Sequence, residues 1–495
     1  MAIAPIEKIE IRRGMKLADY ASHAALTPLV SKLEHESQSA VRAMRGRHIW
    51  MLNSTARGGG VAEMMPMMIA LLRELGFQAD WIVMNCDRPE FFQLTKRLHN
   101  MIHGDPGAAP DPGERQLYED VNGRAADALA EIVKPEDLLV VHDPQPLAVG
   151  AFLKKSMGLS FIWRCHIGLD QRTDSTSAAW RFLQSYAVEC ERAIFSAPEY
   201  IPDYLAGRSL IIHPAVDPLS HKNRELHPIK HAGVLANAGL MPTVDPMVRP
   251  PFEHQAQRLT TEGFVAATKP DHIGLLFRPM VTQVSRWDRL KGWMPLLEGF
   301  ARMKQRIHDG ADAFARRRMQ LVRLVLAGPD PASIQDDPEG VAVLEEICAA
   351  WQAMRADVRA DIVLLALPMH SAKENALMVN ALQRASSIIV QNSLREGFGL
   401  TATEAMWKSI PVLASSACGL RQQIRPGIDG IMLEDNTNPE AIAVALADLL
   451  NDPVGRDRMG RSARRQVYEE FLIFTQLRRW ARLFAEWGQK RGGAK

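Results

Sequence analysis

Short apolar runs alternate with longer segments of helical periodicity along most of the chain. In the first half, 48–52 reads as a strand ending at Asn53-Ser54-Thr55. Arg57-Gly58-Gly59-Gly60 follows, then a helical pattern over 61–75 that Gly76 stops. Further apolar runs at 79–84, 138–141, 160–164, 193–196 and 210–212 read as strands. Alternation of this kind predicts a parallel sheet with helices on both faces. A second series begins at Met280: strands at 281–285, 321–327, 362–366, 387–390, 411–414 and 431–433, with helices at 293–304, 341–354 and 375–385, and two helices from Pro439 onward. Between the series, 217–279 is rich in Pro, His and polar residues, with weak periodicity around 232–240. It reads as an interdomain segment with an inserted, partly helical excursion. The expected architecture is α/β: two Rossmann-like, doubly wound domains, 1–216 and 280–473, facing across a cleft. A C-terminal helix at about 474–495 is expected to pack back on the first domain. In such sheets ligands bind beyond the carboxyl ends of the strands, and clefts between domains are favoured sites.

Composition narrows the function classes. A chain of 495 residues, 47% apolar and 23% charged, is an ordinary globular sequence with room for two or three domains. Its net charge of +2 gives no electrostatic reason to expect nucleic acid. Five cysteines, Cys86, Cys165, Cys190, Cys348 and Cys418, form no CxxC pair, which argues against zinc and dithiol redox sites and fits reduced thiols. His99 and His103 share a helix face, but no HExxH pattern accompanies them. Residues 1–16 lack a signal-peptide core and no apolar stretch has the length of a membrane span, so a cytoplasmic protein without membrane attachment is expected.

The distinctive polar residues sit just after predicted strands. The stretch from Asn392 to Ala405 carries two carboxylates, Glu396 and Glu404, around a Gly397-Phe398-Gly399 turn. Glu396 is expected on a loop before a helix and Glu404 about two turns inside it. The free N–H groups of a helix start favour an anion, and each carboxylate can accept from a polyol. After the strand at 281–285, Arg286 and Lys291 flank a tight loop and can address one anion, Arg by its fork and Lys as a point charge. His142-Asp143-Pro144 ends one buried strand and Cys165-His166 the next, so Asp143 and His166 can lie side by side. Asp143 could equally cap the following helix. The three glycines at 58–60 allow close backbone approach but match neither the P-loop nor the G-x-G-x-x-G fingerprint.

Together these clusters resemble the retaining family 4 glycosyltransferases of the GT-B fold, and within them the trehalose glycosyltransferring synthases. The strings NSTARGGGVAEM, VVHDPQPL, WRCHI, PAVDPLSHKN, TQVSRWDRLKG and VQNSLREGFGLTATEAMWK carry the likeness across most of the chain. The resemblance implies transfer of α-glucose from a nucleoside-diphosphate glucose to glucose, giving α,α-trehalose. Arg286 and Lys291 would neutralise the diphosphate. Glu396 would bind glucose hydroxyls, with backbone N–H groups of Gly397, Phe398, Gly399 and Leu400 adding contacts, and Glu404 would hold the ribose. Asp143 and His166 correspond to the acceptor and donor-sugar side. Gly59 and Gly60 would cover the donor phosphates or the acceptor. No metal is required, with Mg2+ left open as an assistant, and no nucleic acid or membrane partner is implied; a homodimer is left open. A retaining trehalose phosphorylase, a family 4 transferase with another acceptor, and a non-catalytic sugar-nucleotide sensor stand as alternatives. The chain departs from the family after Cys165-His166-Ile167, where Gly168 comes first and Asp170 two positions later. Its 226–279 stretch is also longer than in compact members.

Overall fold

The computed structural model describes residues 3–11, 14–56, 60–242, 249–268, 273–306, 312–331 and 338–492. The chain divides into two compact units, one made of Met1–Pro214 with Ile473–Lys495 and the other of Ala215–Leu472.

In the first unit the strands are β1 (Ile6–Ile9), β2 (His48–Asn53), β3 (Gln78–Met84), β4 (Leu138–His142), β5 (Ser160–Arg164), β6 (Arg192–Phe195) and β7 (Ser209–Ile211). Their order is β1-β3-β2-β4-β5-β6-β7. All neighbours run parallel except β1, which lies antiparallel on β3. Every residue of β4 and β5 is buried, as expected for parallel strands covered on both faces. The edge strand β1 is fastened by charge: Lys8 Nζ lies 2.7 Å from Asp80 Oδ2, and His48 and Arg73 join the same carboxylate. The helix Ile473–Gly492 belongs to this unit. Its Trp480 and Phe484 are buried, and Arg478 donates through two nitrogens to Glu36 at 2.9 and 2.7 Å. A Cβ on Gly488 would stand 2.6 Å from Ala43 O, so glycine permits the close approach of this helix to Thr27–Ala43.

The second unit holds β8 (Gln257–Thr260), β9 (Gly263–Ala266), β10 (Met280–Val284), β11 (Arg323–Pro329), β12 (Ile362–Leu367), β13 (Ile388–Gln391), β14 (Val412–Ser415) and β15 (Gly430–Leu433). Their order is β15-β14-β13-β10-β11-β12-β8-β9. The six strands from β10 to β15 are parallel, and β8 and β9 extend the sheet as an antiparallel hairpin.

Three expectations need correction. The segment read as interdomain groups with the second unit, and its hairpin is part of that sheet; its helix is Pro228–Asn237. Three helices rather than two follow Pro439: Pro439–Asn451, Pro453–Glu470 and Ile473–Gly492. The helix after Gly399 is Leu400–Trp407, so Glu404 sits about one turn inside it, not two. Among the described residues no helix is long and apolar enough to cross a membrane.

Candidate active site

Strand order reverses between β10 and β13 in the second unit, because β10 is followed in sequence by β11 on one side and neighbours β13 on the other. Loops leaving the carboxyl ends of two such strands diverge and leave a crevice. The two loops here carry Lys291 and Glu396. Lys291 Nζ donates to Glu396 Oε2 at 2.7 Å, and each side chain is only 14% exposed. The same oxygen accepts from Ser393 Oγ at 3.0 Å and Gln391 Nε2 at 3.2 Å. Three donors thus converge on one carboxylate oxygen, which orients the group.

Buried amides lock the two loops together. Gln283, at the end of β10, donates to Lys291 O at 2.8 Å and accepts from Asn392 N at 3.1 Å. Asn392 donates to Gly292 O and Asn436 O, both at 3.0 Å. Gly292 has φ +62°, and a Cβ there would lie 2.1 Å from Asn392 O, so the position requires glycine. Trp287 and Trp293, 4.9 Å apart and both buried, fill the space beneath the loop. Gly399 begins the following helix at φ +87°, with its would-be Cβ 3.0 Å from Glu396 Cγ. The Phe398 ring is buried and packs edge-on against Phe471 at 5.8 Å, so what this residue offers a ligand is its backbone.

Arg286 stands apart from this network. Its side chain is 70% exposed, and Asp288 lies 3.9 Å from its guanidinium. Glu404 is buried, and Lys222 Nζ lies 3.8 Å from its Oε1. Lys408, also buried, donates to Glu404 O at 3.0 Å and Asn223 Oδ1 at 3.2 Å. Burial pushes the Lys408 amine down to about 7, although the Glu404 carboxylate opposes the shift.

In the first unit the order reverses between β2 and β4. Asp143 follows β4 directly, with φ +65°, an uncommon backbone for a residue other than glycine. Its Oδ1 accepts from His166 N at 2.8 Å, so the two predicted residues do meet, and the helix-capping alternative for Asp143 is not adopted: Pro146 caps Leu147–Met157. His142 Nδ1 lies 3.1 Å from His166 Nε2 and the rings stack at 5.4 Å. Burial raises Asp143 to about 6, opposed by the His166 backbone N–H and by Arg164. Burial also lowers His142 to about 3 and His166 well below its usual value, so both imidazoles are neutral at pH 7. His142 Nε2 lies 3.4 Å from Met51 Sδ, so the nitrogen of this pair that can donate to or accept from a hydroxyl is His166 Nδ1. Gly60 opens the helix Gly60–Glu74 and is exposed, with nothing within 4 Å of a would-be Cβ; Gly59 and Gly58 lie outside the described residues.

The residues missed from sequence are Gln283, Gln391, Asn392 and Ser393 around Lys291 and Glu396, and Lys222, Asn223 and Lys408 around Glu404. Gln391, Asn392 and Ser393 directly precede the Glu396 loop, which is a signal that could have found them. A cavity of about 640 Å³ elsewhere in the second unit is lined by Ile431, Leu433, Val444 and Met459 among others, and contains none of the predicted site residues.

In fold the chain is similar to the crystal structure of α,α-trehalose 6-phosphate synthase from Burkholderia multivorans, with a TM-score of 0.63 at 18% identity over 90% of this chain and 97% of that one. With its two Rossmann-like sheets, the molecule has the GT-B fold. Residues 370–466 match the family model described as glycosyl transferases group 1, and residues 51–202 match that of the trehalose synthase N-terminal domain. The chain is 31% identical over 466 residues to trehalose synthase from Pyrococcus horikoshii, covering 94% of this chain and 95% of the relative. It is 32% identical over 477 residues to trehalose synthase from Rubrobacter xylanophilus, covering 95% and 96%. The chain belongs to the trehalose synthase family of glycosyltransferases.

Proposed function

We propose that this enzyme transfers α-glucose from a nucleoside-diphosphate glucose to free glucose, reversibly, with retention at the anomeric carbon, forming α,α-trehalose. The observation that carries the reading is the Lys291–Glu396 pair at the strand-order reversal of the second unit, 2.7 Å apart and largely buried. A cation held there can neutralise a departing diphosphate. The carboxylate beside it can accept from sugar hydroxyls, and the N–H groups from Gly397 to Leu400 favour an anion.

In the proposed step the bond from glucose C1 to the β-phosphate oxygen breaks, and a bond from C1 to the anomeric oxygen of the acceptor forms on the same face. The acceptor hydroxyl proton passes to the departing phosphate oxygen, so no protein nucleophile is needed. Catalysis is then positioning plus charge stabilisation. Arg286 and Lys291 counter the charge on the leaving group; Glu396 fixes the sugar. Glu404 holds the ribose, while Asp143 and His166 hold hydroxyls on the acceptor side and Gly59 and Gly60 line the donor phosphates or acceptor.

The test is incubation with ADP-, UDP- and GDP-glucose, each with glucose, followed by product analysis. Trehalose together with free nucleoside diphosphate supports the reading. Trehalose formed from glucose 1-phosphate and glucose with phosphate release, and none from any nucleotide donor, replaces it with a phosphorylase.

A further inference from the structure

The cation that lies beside Glu404 is Lys222, from outside both the Arg286–Lys291 and the Glu396–Glu404 segments. Residues 217–225 open the second unit and run against the helices Ala372–Ala385 and Leu400–Trp407, where polar contacts hold them at several points. Asn380 Nδ2 donates to His221 O and to Arg224 O, both at 3.0 Å. Arg384 donates to Arg224 O at 3.1 Å and pairs with Glu225 at 3.1 Å. Lys408 donates to Asn223 Oδ1 at 3.2 Å, and Asn223 Nδ2 closes the loop on Asp217 O and Ser220 Oγ, each at 3.2 Å. Lys222, held between these fixed neighbours, reaches to 3.8 Å from Glu404 Oε1, with side chains 32% and 9% exposed.

That separation is too long for a direct hydrogen bond. A hydroxyl oxygen set to one side of the pair can still lie within hydrogen-bond distance of both groups, because a hydroxyl donates once and accepts as well. The carboxylate accepts from its O–H and the ammonium donates to its oxygen. A carboxylate alone reads only the donor half of a hydroxyl; the Lys–Glu pair reads both. Resting on the donor site proposed above, we propose that Lys222 is a further donor-binding residue that grips a ribose hydroxyl together with Glu404, making the site selective for ribonucleotides over deoxyribonucleotides. Lys408 acts through Asn223 and the Glu404 backbone, and is a positioning residue for this pair. As ammonium or as amine it retains N–H donors for both acceptors, so the tie persists through neutral pH.

The experiment is calorimetric binding of nucleoside diphosphate and of its 2′-deoxy and 3′-deoxy analogues to the intact chain, using the base of the donor that the enzyme turns over fastest. The wild type should prefer the ribonucleotide to at least one deoxy analogue by about tenfold. Lys222→Met should bind the ribonucleotide about threefold to fivefold more weakly and the disfavoured analogue unchanged, so the preference narrows to what Glu404 alone supplies. Lys222→Arg should retain more of it, and Lys408→Met should shift it in the same direction as Lys222→Met. Lys222 is partly exposed, so its variants are expected to fold; a matching thermal midpoint checks this. A Lys222→Met chain that keeps the wild-type preference, whatever its overall affinity, overturns the inference, as does a wild type that turns over nucleotide-glucose without any preference. A wild type that binds no nucleoside diphosphate overturns both this inference and the donor reading on which it rests.

Discussion

Replacing Lys291 by methionine keeps the aliphatic stem and removes the charge that faces Glu396. At 2.7 Å the two charges attract by about 6 kcal/mol if the effective dielectric constant is near 20. Most of that offsets the cost of taking both groups out of water. What the variant loses is larger than the net worth of the pair, because the 14% exposed Glu396 carboxylate keeps its desolvation cost while losing the ammonium at 2.7 Å. Breaking a buried pair from one side costs roughly 3–5 kcal/mol. Gln391 and Ser393 still donate to the same oxygen, each contributing about 1 kcal/mol, which puts the expectation at the lower end, about 3 kcal/mol. Glu396→Gln in the Lys291→Met background removes the carboxylate that has lost Lys291 and should recover about 2 kcal/mol. The assay is urea unfolding of wild type, both single variants and the double variant, followed by tryptophan fluorescence, since Trp287 and Trp293 lie directly beneath the loop. The coupling energy from this cycle should exceed about 1 kcal/mol. Donor turnover, read in parallel, should fall on the order of 100-fold in Lys291→Met. A loss of stability under about 1 kcal/mol with coupling under about 0.5 kcal/mol would refute the buried-pair argument. Turnover within threefold of wild type would refute the role in countering the diphosphate.

Arg286→Ala should separate stability from activity: the side chain is 70% exposed, so unfolding free energy should stay within about 0.5 kcal/mol while turnover falls on the order of 100-fold; near-normal turnover removes Arg286 from the site. Asp143, raised by burial from 3.8 to about 6, keeps a proton in the folded chain that the unfolded chain has already lost between those pH values. The stability of wild type relative to Asp143→Asn should therefore fall as pH rises from about 4 to about 6 and level off above; parallel curves from urea titrations across that range would contradict the burial argument. Gly292→Ala forces a side chain into positive φ and against Asn392 O, and should cost about 2–3 kcal/mol in the same unfolding assay; a neutral effect would mean that the loop relaxes without the Gln283–Asn392 lock.

The parallel strands were legible because each is a short apolar run buried on both faces, and a run such as Leu-Leu-Val-Val before His142 needs no tertiary information to be read. The edges were not. β1 is four residues with two charges, and it is fixed by an ion cluster on Asp80 rather than by an apolar face. All four residues of β9 are half-buried, so no alternation marks the hairpin that it forms with β8. The helix Pro453–Glu470, rich in arginine, carried too little apolar signal to be counted separately. Among the candidate site residues, Lys291 and Glu396 in the second unit and Asp143 and His166 in the first were visible as polar residues following apolar runs. The amides around them were not, because Gln283 meets Asn392 only through the pairing of β10 with β13, which local pattern does not encode. Lys222 belongs beside Glu404 for a similar reason: it lies 182 positions earlier and is brought there by the folding of 217–225 against two helices.

The helix Ile473–Gly492 completes the unit that the chain begins. During synthesis, domains generally fold in the order in which they emerge. Here the first half of the chain leaves the ribosome without the helix that covers Glu36 and Ala43, whereas 215–472 is continuous and has all its parts once its last residue is out. The order of completion is therefore inverted: of the two units the one started first is finished second, and the nascent N-terminal part must wait with an apolar face uncovered until Ile473–Gly492 has emerged.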